Sequence, residues 1–157
     1  MIDAKRRILL KGSLAAGAVG VAVGAGLLAP RTVLADWPKD AFGATDVSSS
    51  LKALLGIDQG EPSGDISIKA PDIAENGAVV PVTVESTATG VTKIVIVAEG
   101  NQTPLIAAFN LGEAAIPFVS TRIKMGKTAN VQALVQTADK TYTASKEVKV
   151  TIGGCGG

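Results

Sequence analysis

The sequence predicts an all-β domain, an immunoglobulin-like β-sandwich of about seven strands with a short N-terminal helix. Glycines recur at intervals of 10 to 14 residues through the middle of the chain, and short runs rich in Val, Ile and Thr lie between them. These glycines are Gly64, Gly77, Gly90, Gly100, Gly112 and Gly126. Short strands separated by turn signals at this spacing are typical of a sandwich.

Alternation of apolar and polar residues predicts the individual strands. In order they cover residues 65–69, 80–84, 93–98, 103–109, 118–125, 130–137 and 141–152, with a tight turn at 138–140. Residues 93–98 are apolar on both faces, which predicts a central strand. Pro81 indicates an edge strand or a bulge, because proline cannot donate to a sheet ladder.

A short helix is predicted before the first strand. Asp46 or Ser48 is a suitable N-cap, and Gly56 ends the helix. The apolar stripe of this helix consists of Leu51, Leu54 and Leu55.

The composition excludes several classes of function. The chain has 157 residues with no His and one Cys, so a Ser-His-Asp triad, a Cys₄ zinc site, an iron–sulfur cluster and an intrachain disulfide are excluded. Residues 36–157 carry 10 basic and 13 acidic side chains, and aromatic residues make up 3% of the chain, which argues against nucleic-acid binding. Arg122, Lys124 and Lys127 form a small basic strip, interpreted as a solvated strand face.

The first 35 residues have the layout of a signal peptide. Lys5, Arg6 and Arg7 form a basic region with a twin arginine, a Gly- and Ala-rich apolar run follows at 13–29, and cleavage is predicted after Ala35. The twin arginine resembles a Tat-type signal. An uncleaved membrane anchor is the alternative, although glycines dilute the apolar run. The predicted organisation is a signal at 1–35, a sandwich at 36–152 and an arm at 153–157.

The single Cys lies in the tail that follows the last predicted strand, flanked by Gly153, Gly154, Gly156 and Gly157. Glycines leave the backbone without side-chain restraint, so a flexible arm is predicted. A thiolate is a nucleophile that readily forms S–S bonds, and no His is available to activate it. Cys155 is therefore predicted to attach a substrate covalently in a carrier rather than an enzyme.

Two other functions stay open at this point. An exported immunoglobulin-like interaction module would use Cys155 for an interchain disulfide, because an unpaired Cys is unusual in an exported chain. An autonomous enzyme ranks last, since no pair of Asp or Glu residues has a recognisable catalytic spacing.

Three stretches of sequence resemble the SoxY family, the sulfur carriers of the periplasmic Sox thiosulfate-oxidising system. They are the tail V-K-V-T-I-G-G-C-G-G at 148–157 with the overlapping K-E-V-K-V-T at 146–151, the segment V-S-T-R-I-K-M-G-K-T-A-N at 119–130, and the Tat-like leader. A Gly-Gly-Cys-Gly-Gly tail joined to an exported β-domain is a specific combination, whereas the twin arginine alone is not.

The resemblance implies a covalent carrier with Cys155 as the attachment site, located in the periplasm. A c-type cytochrome would attach thiosulfate as a cysteine S-thiosulfonate, a sulfate-thiol hydrolase would release sulfate, and a sulfur dehydrogenase would oxidise the remaining sulfane sulfur. A SoxZ-like subunit with an immunoglobulin-like fold would form a heterodimer with the chain. The resemblance implies that the carrier itself binds no metal or haem. No cofactor, no nucleic-acid partner and no membrane association after signal cleavage are expected.

Overall fold

A computed structural model describes residues 37–151 as two short helices and nine strands. The helices are α1 (Lys39–Gly43) and α2 (Val47–Leu55). The strands are β1 (Glu61–Pro62), β2 (Ile66–Lys69), β3 (Ile73–Ala74), β4 (Val80–Ser86), β5 (Val91–Ala98), β6 (Leu105–Asn110), β7 (Phe118–Ile123), β8 (Ala129–Thr137) and β9 (Thr141–Val150). The predicted leader, Ile152 and the Gly-Cys tail lie outside the described residues.

The strands form two sheets, which confirms the all-β, immunoglobulin-like sandwich. The larger sheet has the order β1-β9-β8-β5-β6, and β3 also pairs with β9; the smaller sheet has the order β2-β4-β7. Strands β1 and β3 run parallel to β9, and the other pairs are antiparallel. Seven strands correspond to predicted ones. The other two, β1 and β3, have two residues each and are too short to show a period in the sequence.

Strand β5 is central and buried on both faces, as predicted. Ile94 and Ile96 belong to the core between the two sheets. Val95 and Val97 point the other way and pack in a second cluster with Leu51 of α2. Because each fully buried Val or Ile side chain stabilises the fold by roughly 1.5–3 kcal/mol, burial on both faces makes β5 a major contributor to stability.

Helix α2 covers the outer face of β5 and begins at Asp46, one of its two predicted caps. The Asp46 carboxylate accepts a hydrogen bond from the backbone N–H of Ser49 at 2.8 Å, and this bond holds the pKa of Asp46 below its ordinary value of 3.8. Gly56 ends the helix with φ of 73°. Among residues 37–151, neither helix is long and apolar enough to cross a membrane.

Helix α1 was not predicted. It has five residues, and the Trp37 ring stacks on Phe42 with their centroids 4.3 Å apart. One turn of helix carries no complete apolar period, so the sequence pattern gave no signal for it.

Pro81 lies in β4, which is the middle strand of the smaller sheet, so the expectation of an edge strand is wrong for β4 as a whole. On one side Pro81 is opposite Arg122 of β7. On the other side β2 pairs only with residues 83–86. Pro81 therefore has a neighbouring strand on one side only, which accommodates a residue that lacks an N–H.

Candidate functional site

The predicted attachment residue Cys155 and the glycines Gly153, Gly154, Gly156 and Gly157 lie outside the described residues. The described part of the site is the tail base, which we define as residues 149–151 at the end of β9. Its surroundings hold the end of β9 in place.

One side of the tail base is bound to β3. The backbone N–H of Lys149 donates to the carbonyl of Asp72 at 2.9 Å, and the N–H of Thr151 donates to the carbonyl of Ala74 at 3.1 Å. These bonds extend the parallel pairing of β3 with β9 past the last residue of the strand. The short strand β3 thus holds the chain in place as far as Thr151.

The other side of the tail base is bound to Thr128, directly before β8. The Thr128 hydroxyl accepts from the N–H of Val150 at 2.9 Å, and its Oγ1 lies 3.4 Å from the Val150 carbonyl oxygen. Strand β8 itself pairs with β9 from Ala129 opposite Val148 onward. Thr128 therefore adds a side-chain link where the ladder of main-chain bonds ends.

Gly77 closes the tail base from a third direction. A Cβ atom at this position would collide with the carbonyl oxygen of Met125 and would lie 2.8 Å from Cγ1 of Val150. The N–H of Met125 donates to the carbonyl of Gly77 at 2.7 Å. Only a residue without a side chain allows this approach, so the backbone of the 72–77 segment lies directly against the end of β9.

The basic strip predicted on one strand face is divided in the structure. Arg122 lies on β7 and is exposed, as predicted. Lys124 and Lys127 belong instead to the loop between β7 and β8, where they line a cleft with residues 99–103. Their interpretation as part of a strand face is therefore wrong.

Other described groups add little chemistry to this site. Within the described part of the chain, no three His, Cys, Asp or Glu residues are placed to hold a metal ion. The hydrogen bond and the charge of Glu61 raise the pKa of Lys140, which lies in the turn before β9, at the opposite end of that strand from the tail base.

The sequence predicted the tail, which stays a prediction, but it did not predict the residues that hold the tail base. Thr128 lies inside the 119–130 stretch that carried the family resemblance, so a signal for it existed. Ala74 and Gly77 gave none, because β3 is too short for a pattern and an isolated glycine reads as an ordinary turn.

Comparison with known proteins places the chain in a class, the β-sandwich proteins of sulfur oxidation. A family model described as "Sulfur oxidation protein SoxY" matches residues 51–155, which is most of the chain. The chain belongs to the SoxY family. It is accordingly a sulfur carrier protein of the Sox system and not an enzyme.

A solved structure supports the same assignment. The sulfur carrier protein SoxY from Chlorobium limicola f thiosulfatophilum is 44% identical, with a TM-score of 0.59, and the match covers 66% of this chain and 94% of that chain. A superoxide reductase (neelaredoxin) from Ignicoccus hospitalis is 17% identical with a TM-score of 0.50, covering 59% of this chain and 82% of that chain, and it shows similarity of fold alone. The comparison with curated proteins gives no match.

Proposed function

We propose that Cys155 carries the sulfur substrate as a covalent adduct, and that residues 153–157 act as a mobile arm that presents it to partner enzymes. The observation that carries this proposal is the family match, which extends through Cys155, the single Cys among 157 residues. The glycines on both sides of Cys155 support it, because they offer no side chain that would obstruct entry into a narrow active site.

The proposed chemistry has two steps at Cys155. The thiol first loses its proton and forms an S–S bond with thiosulfate while a c-type cytochrome accepts two electrons, which leaves a cysteine S-thiosulfonate. Water then attacks the terminal sulfone sulfur in the hydrolase. Sulfate leaves, and the electron pair of the broken S–S bond stays on the sulfur that remains as a cysteine persulfide.

The tail base supports a moving arm because it supplies a fixed starting point. Thr151 is held by Ala74, and its neighbour Val150 is held by Thr128. From Thr151 the chain to Cys155 reaches about 13–14 Å when fully extended and spans about 11 Å as a random coil. Such an arm can enter a partner while the sandwich stays outside.

Export and partners complete the proposal. The Tat-type leader at 1–35 would place the mature protein in the periplasm, and a route for folded proteins would allow a SoxZ-like subunit to travel in complex with it. The cytochrome, the hydrolase and the dehydrogenase would then act in turn on Cys155.

Intact-protein mass spectrometry tests the attachment. After incubation with thiosulfate and the partner cytochrome, the wild type should gain the mass of one S₂O₃ group, and Cys155→Ser should gain nothing. An adduct that persists in Cys155→Ser would refute the attachment site. Non-reducing electrophoresis of native material tests the alternative, because a stoichiometric covalent dimer resistant to mild reductant would favour an interchain disulfide.

A further inference from the structure

A polar cleft opens beside the tail base, between the turn that follows β5 and the loop that follows β7. Its volume is about 690 Å³. Its lining includes Glu99, Gly100, Asn101, Lys124, Gly126 and Lys127. The described residues of the cleft provide two ammonium groups against one carboxylate, which favours an anionic ligand.

The cleft and the tail base share one loop, residues 124–128. On one side of this loop, Lys124 and Lys127 line the cleft. On the other side, Thr128 binds Val150, and Met125 lies with Val150 around Gly77. A tail that leaves Thr151 therefore starts on the far side of the loop that forms the cleft wall.

Asn101 holds this loop in position. Its Nδ2 donates to the carbonyl of Lys124 at 2.7 Å, and its Oδ1 accepts from the N–H of Gly126 at 2.9 Å. The Asn101 side chain, in the turn that follows β5, thus satisfies two backbone groups of the facing loop. The cleft is therefore a preformed feature.

The two lysines are available for a ligand. Among residues 37–151, neither Lys124 nor Lys127 forms an ion pair, whereas Lys52, Lys69, Lys140 and Lys146 do. The stem of Lys127 lies over Gly100, where a Cβ would be 3.0 Å from Cγ and 3.4 Å from Cε of the lysine. The opposing carboxylate of Glu99 is engaged by Asn130, whose Nδ2 donates to it at 3.1 Å.

We propose that this cleft binds the sulfonate group of the cargo on Cys155, a role that rests on the proposed function. The S-thiosulfonate ends in three oxygens that share a negative charge, which suits two ammonium groups. The arm reaches about 13–14 Å from Thr151, and the 124–128 loop that it would pass is joined to the neighbouring Val150 through Thr128. Removal of the sulfonate as sulfate would abolish this docking, so the cleft distinguishes the thiosulfonate state from the persulfide state and releases the arm after hydrolysis.

The first experiment tests the cleft without the attachment chemistry. Cys155→Ser, labelled with ¹⁵N, is titrated with thiosulfate, with sulfate, and with chloride at equal ionic strength. The amides of Asn101 and Gly126 should shift saturably with the two oxyanions. Shifts that depend only on ionic strength would overturn the proposal.

Charge variants in the same Cys155→Ser background make this test specific. Lys124→Gln and Lys127→Gln should each weaken thiosulfate binding by about two- to fivefold, as expected for exposed charge pairs. Glu99→Gln should strengthen binding by a similar factor. Lys93→Gln removes the same charge near the start of β5, at the end of that strand away from the cleft, and should leave binding unchanged. Equal weakening in all three lysine variants would show a diffuse charge effect and contradict the proposed site.

The second experiment tests docking of the cargo itself. Tetrathionate converts the Cys155 thiol to the S-thiosulfonate by releasing thiosulfate and a proton, so it loads the arm without the cytochrome. ¹⁵N relaxation of Gly156 and Gly157 should show lower mobility after loading in the wild type but not in the Lys124→Gln, Lys127→Gln double variant. Unchanged mobility in a fully loaded wild type would overturn docking, whereas failure to load would count against Cys155 attachment and leave the first experiment's result standing.

Discussion

At the scale of the residue, the position of the tail base depends on a few small residues around Val150. Thr128 supplies a hydroxyl where main-chain pairing stops, and Gly77 lets a neighbouring segment lie against the strand. Neither residue bears reactive chemistry. Their effect is to keep the last residues of β9 in one place, which gives the proposed arm a fixed starting point.

Gly77→Ala tests this close approach. The added methyl group would collide with the carbonyl of Met125 and with Val150, and overpacking of this kind costs about 1–3 kcal/mol. The free energy of unfolding from urea denaturation should fall by that amount. Gly64→Ala is the matched control, because nothing lies within 4 Å of its Cβ, and its effect should stay within about 0.5 kcal/mol. Equal effects of the two substitutions would refute the steric argument.

At the scale of the element, β5 shows which strands a pattern of apolar residues can predict. Its unbroken apolar run predicted a central strand, and both faces are indeed covered, by the smaller sheet and by the helices. Strands β1 and β3 and helix α1 escaped prediction because their two to five residues complete no period. Their placement is decided by partners distant in sequence, as Glu61 opposite Tyr142 shows.

Leu51→Ala tests the attachment of α2 to the outer face of β5. Leu51 is 1% exposed and packs in the cluster that contains Val95 and Val97, so its truncation should cost about 2–4 kcal/mol. Chemical denaturation measures this loss. Lys52→Ala, one position along the same helix and exposed, should change stability by less than about 0.5 kcal/mol. A loss below about 1 kcal/mol for Leu51→Ala is smaller than the usual cost of truncating a buried leucine, and it would show that α2 is only loosely docked.

The Asp46 cap should make stability depend on pH. The hydrogen bond from Ser49 lowers the folded-state pKa of Asp46 below 3.8, so the unfolded chain binds the proton more readily. This contribution is therefore fully present above the unfolded pKa and is lost as the pH falls through the folded pKa. Asp46→Asn keeps a capping side chain without a titrating group. The stability difference between wild type and variant should change as the pH falls through the ordinary value of 3.8 and below it. Denaturation at each pH measures this difference, and parallel profiles would contradict the assignment.

At the scale of the whole molecule, the described sandwich accounts for the tail base and the cleft. Strand β9 pairs with β8 along most of its length and ends at the tail base. The Gly-Cys tail was predicted because its composition is unlike that of the sandwich, and it stays a prediction because it lies outside the described residues. The cleft could not, because Asn101 and Lys124 are 23 residues apart and only the fold brings them together.

A restricted arm tests whether mobility matters to this arrangement. In the double variant Gly153→Pro, Gly154→Pro, each proline fixes φ near −65°. Transfer of the cargo to the hydrolase should become roughly tenfold slower, because the arm loses the conformational freedom of about one residue. Unfolding free energy should not change, since the described bonds of the tail base end at Thr151. Gly153→Ser, Gly154→Ser keeps the length and most of the flexibility, and its transfer should stay within about twofold of the wild type. The rate is measured as loss of the S-thiosulfonate mass during incubation with the hydrolase. Equal rates in all three proteins would show that the carrier delivers its cargo without a mobile arm.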